Sequence, residues 1–231
     1  MNKVCSLEEA LSRVNPGDTV MVGGFGVPGT PFTLLDGLLK GGVNELTVVK
    51  NEANEDHMGI SKLVEAGLVR KMITTHLGLN KTVIGMMNRG EVEVEFYPQG
   101  ILAEKIRAGG AGLFGLLTDI GMDTELLSST KQTMWFEGRE LIVESALKGD
   151  VALLHAAKAD RFGNLVYAKS AMNFNPVMAT AATTVIAEVE EVVEIGDLDP
   201  EHVHTPGAFV DHVVLLEELS EEYGILEHHI I

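Results

Sequence analysis

Thr19-Val20-Met21-Val22-Gly23-Gly24-Phe25-Gly26-Val27-Pro28-Gly29-Thr30-Pro31 is the stretch on which the fold turns. A short apolar run gives way to a loop carrying Gly23, Gly24, Gly26 and Gly29. Helical spacing then runs from Thr30 to Leu39, with Pro31 suited to the first turn. Strand, glycine loop and helix together open a βαβ unit, and the rhythm repeats. Leu46-Thr47-Val48-Val49, Val69 to Thr75 and Val92-Glu93-Val94-Glu95-Phe96 read as further strands, with helical segments near 56–66, 81–88 and 101–108. Apolar strands alternating with helices predict a mostly parallel sheet flanked by helices.

The second half changes character. Gln132 to Phe136 and Arg139 to Val143 flank Glu137-Gly138, a two-residue hairpin signal. Asp150 to His155 and Asn164 to Ala168 flank a turn at Asp160-Arg161-Phe162-Gly163, and Thr183 to Val189 reads as one more buried strand. No Pro/Ser-rich linker separates the halves, so residues 1–225 form a single α/β domain with an antiparallel hairpin region. The segment 226–231 is set apart as a tail, because Leu226-Glu227-His228-His229 resembles the start of an expression tag until Ile230-Ile231 break the pattern.

Composition narrows the partners. The chain has 231 residues, with 17 Lys+Arg against 34 Asp+Glu, a net charge of −17. Such a surface repels a phosphodiester backbone and an anionic lipid leaflet, so nucleic acid and membrane are excluded as expected partners. With 45% hydrophobic and 22% charged residues the chain is too apolar for the disordered regime. Cys5 is the single cysteine, which rules out an intrachain disulfide and a thiolate-rich zinc site. The N-terminus lacks an uninterrupted apolar core of signal-peptide type, and no apolar run is long enough to span a bilayer, so a cytoplasmic location is expected. His202-x-His204 lacks the spacing of a metalloprotease helix, and no metal is expected. The acidic runs at 188–191 and 217–222 read as solvated faces.

The chemistry-bearing residues lie at the ends of predicted strands. In the loop Gly23-Gly24-Phe25-Gly26-Val27-Pro28-Gly29, glycines permit close backbone approach and positive φ, and the helix beyond adds a partial positive charge. An anionic or oxyanionic group is expected there. Gly24-x-Gly26-x-x-Gly29 also satisfies the dinucleotide spacing, with Glu52 as a candidate ribose acid, which leaves an NAD-dependent Rossmann oxidoreductase open. Tyr97-Pro98-Gln99-Gly100 places the Gln99 amide at the carboxyl end of the fourth strand, where open α/β sheets bind ligands. An amide that donates and accepts suits a carboxylate or carbonyl. Asn51 ends the second strand similarly, so Asn51, Gln99 and the glycine loop should converge on one edge. Arg107 reads as a structural ion-pair residue, and the glycines from Gly109 to Gly115 predict an irregular loop. The chain has no Gly-x-Ser-x-Gly elbow, no Walker loop and no close carboxylate pair, so it offers a cradle and donors without a nucleophile.

Gly23-Gly24-Phe25 with Gly29-x-Pro31, Pro98-Gln99-Gly100, Arg107-Ala108-Gly109-Gly110-Ala111-Gly112, Asn173-Phe174-Asn175-Pro176 and Thr205-Pro206-Gly207-Ala208 together resemble the α (A) subunit of family I CoA-transferases. This is the 3-oxoacid and acetate/acetoacetate group, and the resemblance runs from about residue 5 to residue 215. It implies a sheet of about seven mostly parallel strands. It also implies partnership with a homologous β subunit, in a heterotetramer of two α and two β chains, and transfer of CoA between a short-chain acyl-CoA and a small carboxylic acid. By that resemblance the nucleophilic glutamate lies on the β subunit, with no catalytic residue on this chain. CoA enters as a substrate, with no tightly bound cofactor. Gly23 to Gly29 match the CoA-binding segment, while Gln99 and Asn51 match substrate-orienting positions. Glu52 stands where the family commonly has Asn or Asp, which adds negative charge where an anion should dock, and Lys50 is placed to offset it. Gly59-Ile60-Ser61-Lys62-Leu63, Thr118-Asp119-Ile120-Gly121 and Pro16-Gly17 are further departures, bearing on acyl specificity. Besides the oxidoreductase, a non-catalytic regulatory homologue that binds acyl-CoA stands as an alternative. Because the substrates are anions, the acidic residues are expected to lie away from the glycine loop and Gln99.

Overall fold

The computed structural model describes residues 2–78, 80–122, 124 and 131–224. The tail 226–231 therefore lies outside the described residues. The elements in chain order are α1 (Leu7–Leu11), β1 (Thr19–Val22), α2 (Phe32–Gly41), β2 (Leu46–Val49), α3 (Ile60–Glu65), β3 (Val69–Thr74), α4 (Lys81–Asn88), β4 (Glu93–Phe96) and α5 (Gln99–Gly110). After them come β5 (Gly115–Thr118), β6 (Thr133–Phe136), β7 (Arg139–Ser145), β8 (Gly149–Asp160), β9 (Leu165–Val166), α6 (Asn175–Ala181), β10 (Ala182–Val193) and β11 (His212–Leu215).

Seven strands lie in the order β11-β10-β8-β1-β2-β3-β4, each parallel to its neighbours, and β9 adds antiparallel to β8. The central strands are buried on both faces because helices cover both. Val20, Val22 and Val48 face a core packed by Leu34, Leu35, Leu38, Ile60, Leu63 and Val83. Met21 and Val49, one residue out of step, face a second core built with Leu102, Ile106 and Met178. Burial on both sides accounts for near-continuous apolar strands without alternation.

Local signals set several helix ends. The Ser6 hydroxyl accepts from the Glu9 N–H at the start of α1, and Asn80 Oδ1 accepts from the Val83 N–H at the start of α4. Gly42 ends α2 in the left-handed region with φ 66°. The helix expected over 56–66 is shorter than read, because Asn54 and His57 take positive φ and turn the chain before Gly59.

The glycines after α5 are a correction. Gly109 and Gly110 belong to the helix, and Gly115 opens β5, a strand that spacing alone does not reveal. The reason is close packing. A Cβ on Gly109 would lie 2.1 Å from the Leu147 carbonyl oxygen, and one on Gly110 would lie 2.1 Å from Thr180 Oγ1. These glycines admit neighbouring chain against the helix, which outweighs their poor helix propensity. The hairpin of β6 and β7 turns at Glu137-Gly138, both at positive φ, and β5 completes an antiparallel sheet in the order β5-β7-β6.

Candidate active site

Every central strand of a parallel sheet releases its chain at the same edge, and the glycine loop, Asn51 and Gln99 follow β1, β2 and β4 there. The loop is folded tightly on itself. The Gly23 N–H donates to the Leu153 carbonyl at 2.9 Å, and the Phe25 N–H to the Pro28 carbonyl at 3.1 Å. Gly24 has φ 101°, and a Cβ there would sit 2.2 Å from Thr30 Oγ1, so only glycine closes this turn.

Two asparagines, just before and at the start of α6, rivet the loop. Asn173 Oδ1 accepts from the Gly24 N–H at 3.2 Å while its Nδ2 donates to the Pro28 carbonyl at 2.9 Å. Asn175 Nδ2 donates to the Gly29 carbonyl at 3.1 Å, and its Oδ1 accepts from the His155 N–H at 3.3 Å. The Asn-Phe-Asn-Pro motif is legible in the sequence, but this riveting role is not, because it depends on a contact 145 residues away in the chain.

Asn51, Glu52 and Gln99 do converge. Gln99 Nε2 donates to Asn51 Oδ1 at 2.7 Å, and Asn51 Nδ2 donates to Glu52 Oε2 at 2.5 Å. Glu52 Oε1 then accepts from the Gly26 N–H at 3.1 Å and pairs with Lys50 Nζ at 3.0 Å. One polar chain thus runs from α5 to the glycine loop. Lys50 is fully buried, and desolvation pulls its ammonium below the ordinary lysine range against the opposing pull of Glu52. Its remaining contacts are the Gly23 carbonyl at 3.3 Å and Thr30 Oγ1 at 3.0 Å. Lys50 therefore offsets Glu52, as the adjacent charges suggested.

The distribution of acid differs from expectation in three places. Glu52 itself occupies the amide of Gly26, so the protein's own carboxylate fills part of the predicted anion cradle. Glu188, read as part of a solvated face, is fully buried, and its Oε2 accepts from the Leu34 N–H at 2.9 Å at the start of α2. The positive end of that helix thus serves an internal carboxylate. Glu222 pairs with Lys62 at 2.8 Å, which brings part of the second acidic run against α3. The acid is thus not segregated from the loop, and Glu52, Glu188 and Glu222 are instead paired in place with Lys50, His155 and Lys62.

His155 lies beneath, its Nδ1 2.9 Å from Glu188 Oε1 and its Nε2 3.1 Å from Glu190 Oε1. Burial pulls the imidazole pKa down, but the two carboxylates outweigh it and hold it above the ordinary histidine value. Burial also raises the Glu188 carboxyl above the usual carboxylate range. Tyr223 packs edge-on against Phe32 with ring centroids 5.0 Å apart, lies against the His155 ring at 4.9 Å, and donates its hydroxyl to the Thr30 carbonyl.

Beside Gly26 and Val27 opens a cavity of about 70 Å³. Ala53, Met58 and Leu77 contribute its apolar wall, and Glu52, Glu55 and His76 also line it. Arg107 pairs with Glu104 on the exposed face of α5 and takes no part. His202 bonds Asp199, and His204 stacks on Tyr167, each in a local role.

Chemically, the edge supplies oriented amides and a shielded carboxylate. Glu52 has both oxygens engaged, so it is not free to attack an acyl group. Gln99 is exposed, and after its bond to Asn51 it keeps a second N–H and its Oε1 for a ligand. The dinucleotide reading loses both of its supports, since Glu52 is tied to Lys50 and Gly26 and the α2 N-terminus is occupied by Glu188.

A family model described as coenzyme A transferase matches residues 4–216. The chain is 45% identical over 222 residues to the A subunit of succinyl-CoA:3-ketoacid coenzyme A transferase from Helicobacter pylori, covering 96% of this chain and 95% of that one. It is 43% identical over 216 residues to the alpha subunit of acetate CoA-transferase from Escherichia coli, covering 94% of this chain and 98% of the relative. Among solved structures, the acyl-CoA transferase YdiF of Escherichia coli superposes with a TM-score of 0.84 at 25% identity. That superposition covers 95% of this chain and 48% of YdiF, so the chain spans about half of that protein's length.

Proposed function

This chain belongs to the coenzyme A transferase family, and from that premise we propose that it is the α subunit of a heteromeric enzyme moving CoA between a short-chain acyl-CoA and a free carboxylate. The observation that carries the reading is identity above two fifths, over nearly the whole chain, to the corresponding subunits of such transferases. The engaged state of Glu52 supports the rest. Glu52, the carboxylate bonded to the loop, is engaged through both oxygens, and the reacting glutamate is assigned, as the resemblance implies, to the partner β subunit.

The reaction is a ping-pong exchange. The partner's glutamate carboxylate adds to the acyl-CoA carbonyl, the carbon–sulfur bond breaks, and CoA thiolate leaves a mixed anhydride. The thiolate adds to the glutamyl carbonyl of that anhydride, and the first acid departs as its carboxylate. The incoming carboxylate runs the same steps in reverse and leaves as the new thioester. Splitting the exchange this way is covalent catalysis, and each tetrahedral intermediate carries an oxyanion that needs donors.

In this scheme Gly23, Gly24, Phe25, Gly26, Val27, Pro28 and Gly29 hold CoA, and the free N–H of Gln99 orients the carboxylate. Asn51 and Glu52 fix the Gln99 amide through the hydrogen-bonded chain. Exposed Phe114 and Trp135, on and beside the small antiparallel sheet, fit an apolar contact with the partner. A complex of two α and two β chains is the assembly proposed.

Co-expression with a β-type chain and assay with acetyl-, butyryl- and acetoacetyl-CoA and their acids tests the function. The pair should transfer CoA and this chain alone should not. A purified pair that transfers from none of the three would overturn the reading. Gln99→Ala in the active pair should lower kcat about 100-fold, as loss of one oriented donor does. Stability should fall by only about 1 kcal/mol, the worth of the one hydrogen bond to Asn51. Unchanged kcat would remove Gln99 from the site.

A further inference from the structure

Resting on the transferase reading, the cavity beside Gly26 and Val27 carries a choice of substrate. It touches the CoA-loop residues on one side and Glu52 of the amide chain on the other, so it opens beside the edge where the acyl carbonyl must lie. Its volume of about 70 Å³ has room for on the order of five water-sized groups. Val27, Ala53 and Met58 are buried and make its wall apolar.

The charge around this space is one-sided. Among the described residues no lysine or arginine lines it. Lys50, behind Glu52, is committed to Glu52 Oε1, the Gly23 carbonyl and Thr30 Oγ1, and its three N–H groups are thereby used. Asn54 Nδ2 donates to the Gly26 carbonyl at 2.8 Å and its Oδ1 accepts from the Ile60 N–H at 3.1 Å, which leaves it one uncharged N–H and no positive charge to offer. Glu55 is exposed, and among the described residues no cation pairs with its carboxylate. His76, the remaining titratable group, is exposed and bonds Thr75 Oγ1 through Nδ1 at 3.0 Å.

An acyl chain ending in a methyl group meets an apolar wall here. One ending in a second carboxylate meets Glu55 and finds no lysine or arginine, at the cost of desolvating an unpaired charge. We infer that this pocket selects short monocarboxylic acyl groups, of roughly two to four carbons, and rejects acyl groups that carry a distal carboxylate. The two named relatives above divide on this point, one named for succinyl-CoA and one for acetate. In acyl preference this chain groups with the second.

The experiment compares kcat/KM for acetyl-, butyryl-, octanoyl- and succinyl-CoA with one common acceptor acid, in the assembled two-subunit enzyme. Butyryl-CoA should exceed succinyl-CoA by about tenfold or more, and octanoyl-CoA should fall below butyryl-CoA by a similar factor. Glu55→Lys, at an exposed position that leaves folding intact, should raise the succinyl-to-butyryl ratio about tenfold, and Glu55→Gln should raise it less. Wild-type preference for succinyl-CoA, or a ratio unmoved by Glu55→Lys, would overturn the inference while leaving the transferase function standing. Absence of transfer from every thioester would instead overturn the function on which it rests.

Discussion

Lys50 and Glu52 form the most consequential pair at the scale of single residues. A lysine with no exposed surface is tolerated only because a carboxylate, a carbonyl and a hydroxyl surround it. Removing one partner strands the other. Glu52→Ala should therefore destabilise the chain by about 3–5 kcal/mol. Lys50→Met together with Glu52→Gln should recover much of that loss, because no charge is left unpaired. Urea melts of the three variants check this, and a Glu52→Ala cost below about 1 kcal/mol, the ordinary surface-pair value, would show that Lys50 finds another partner. The sequence placed both charges side by side, but their burial came from tertiary packing.

Among elements, the C-terminal segment at Glu221–Gly224 changes the picture most. It crosses the start of α2 and α3 rather than standing free in solvent. Tyr223 donates to the Thr30 carbonyl, and Glu222 accepts from the Gly59 N–H at 3.3 Å and pairs with Lys62. Thr30 in turn anchors the glycine loop by donating from Oγ1 to the Gly26 carbonyl at 2.8 Å. The segment is thus a brace for the loop, and under the proposed function Tyr223 would position that loop at one remove from ligand. Tyr223→Phe keeps the ring against Phe32 and His155 but loses the hydroxyl. It should cost about 1 kcal/mol of stability and raise KM for acyl-CoA roughly fivefold, with kcat changed less. Steady-state kinetics of the assembled enzyme checks the split, and an unchanged KM would reduce Tyr223 to a packing role. The β1 and β2 bounds were legible because their apolar runs stop at glycine and at polar residues. The course of this segment was not, because its anchors lie about 160 residues or more away.

The whole molecule answers to pH through the buried His155 cluster. His155 and Glu188 both hold protons more tightly in the folded state than they do ordinarily. A raised folded pKa contributes stability that is complete below the unfolded value and is lost as pH rises through the folded one. Glu188 gives up its share from about pH 4.3, the ordinary glutamate value, upward, and stability should decline further as pH climbs above about 6.5, the ordinary histidine value. His155→Gln should flatten that decline. Thermal melts across the range decide it: a wild-type slope equal to that of the variant would mean the cluster does not titrate with folding. No described helix is long and apolar enough to cross a membrane, and the net charge of −17 is compatible with binding anions because the acid nearest the loop is internally compensated.

The sequence by itself determined the parallel sheet, because apolar runs of strand length alternating with helical spacing can be buried only between two helical layers. It also determined which residues stand at the carboxyl edge, since chain order and strand ends place Gly23, Asn51 and Gln99 there. What only the tertiary structure decided is who satisfies whom. The amide of Gly26 went to Glu52, the start of α2 to Glu188, the loop carbonyls to Asn173 and Asn175, and the glycines after α5 to close packing. Each of these joins groups far apart in the chain or sets a burial that no local spacing encodes. Buried polar groups must find partners wherever the fold brings them, and that pairing is settled only once the layers have packed.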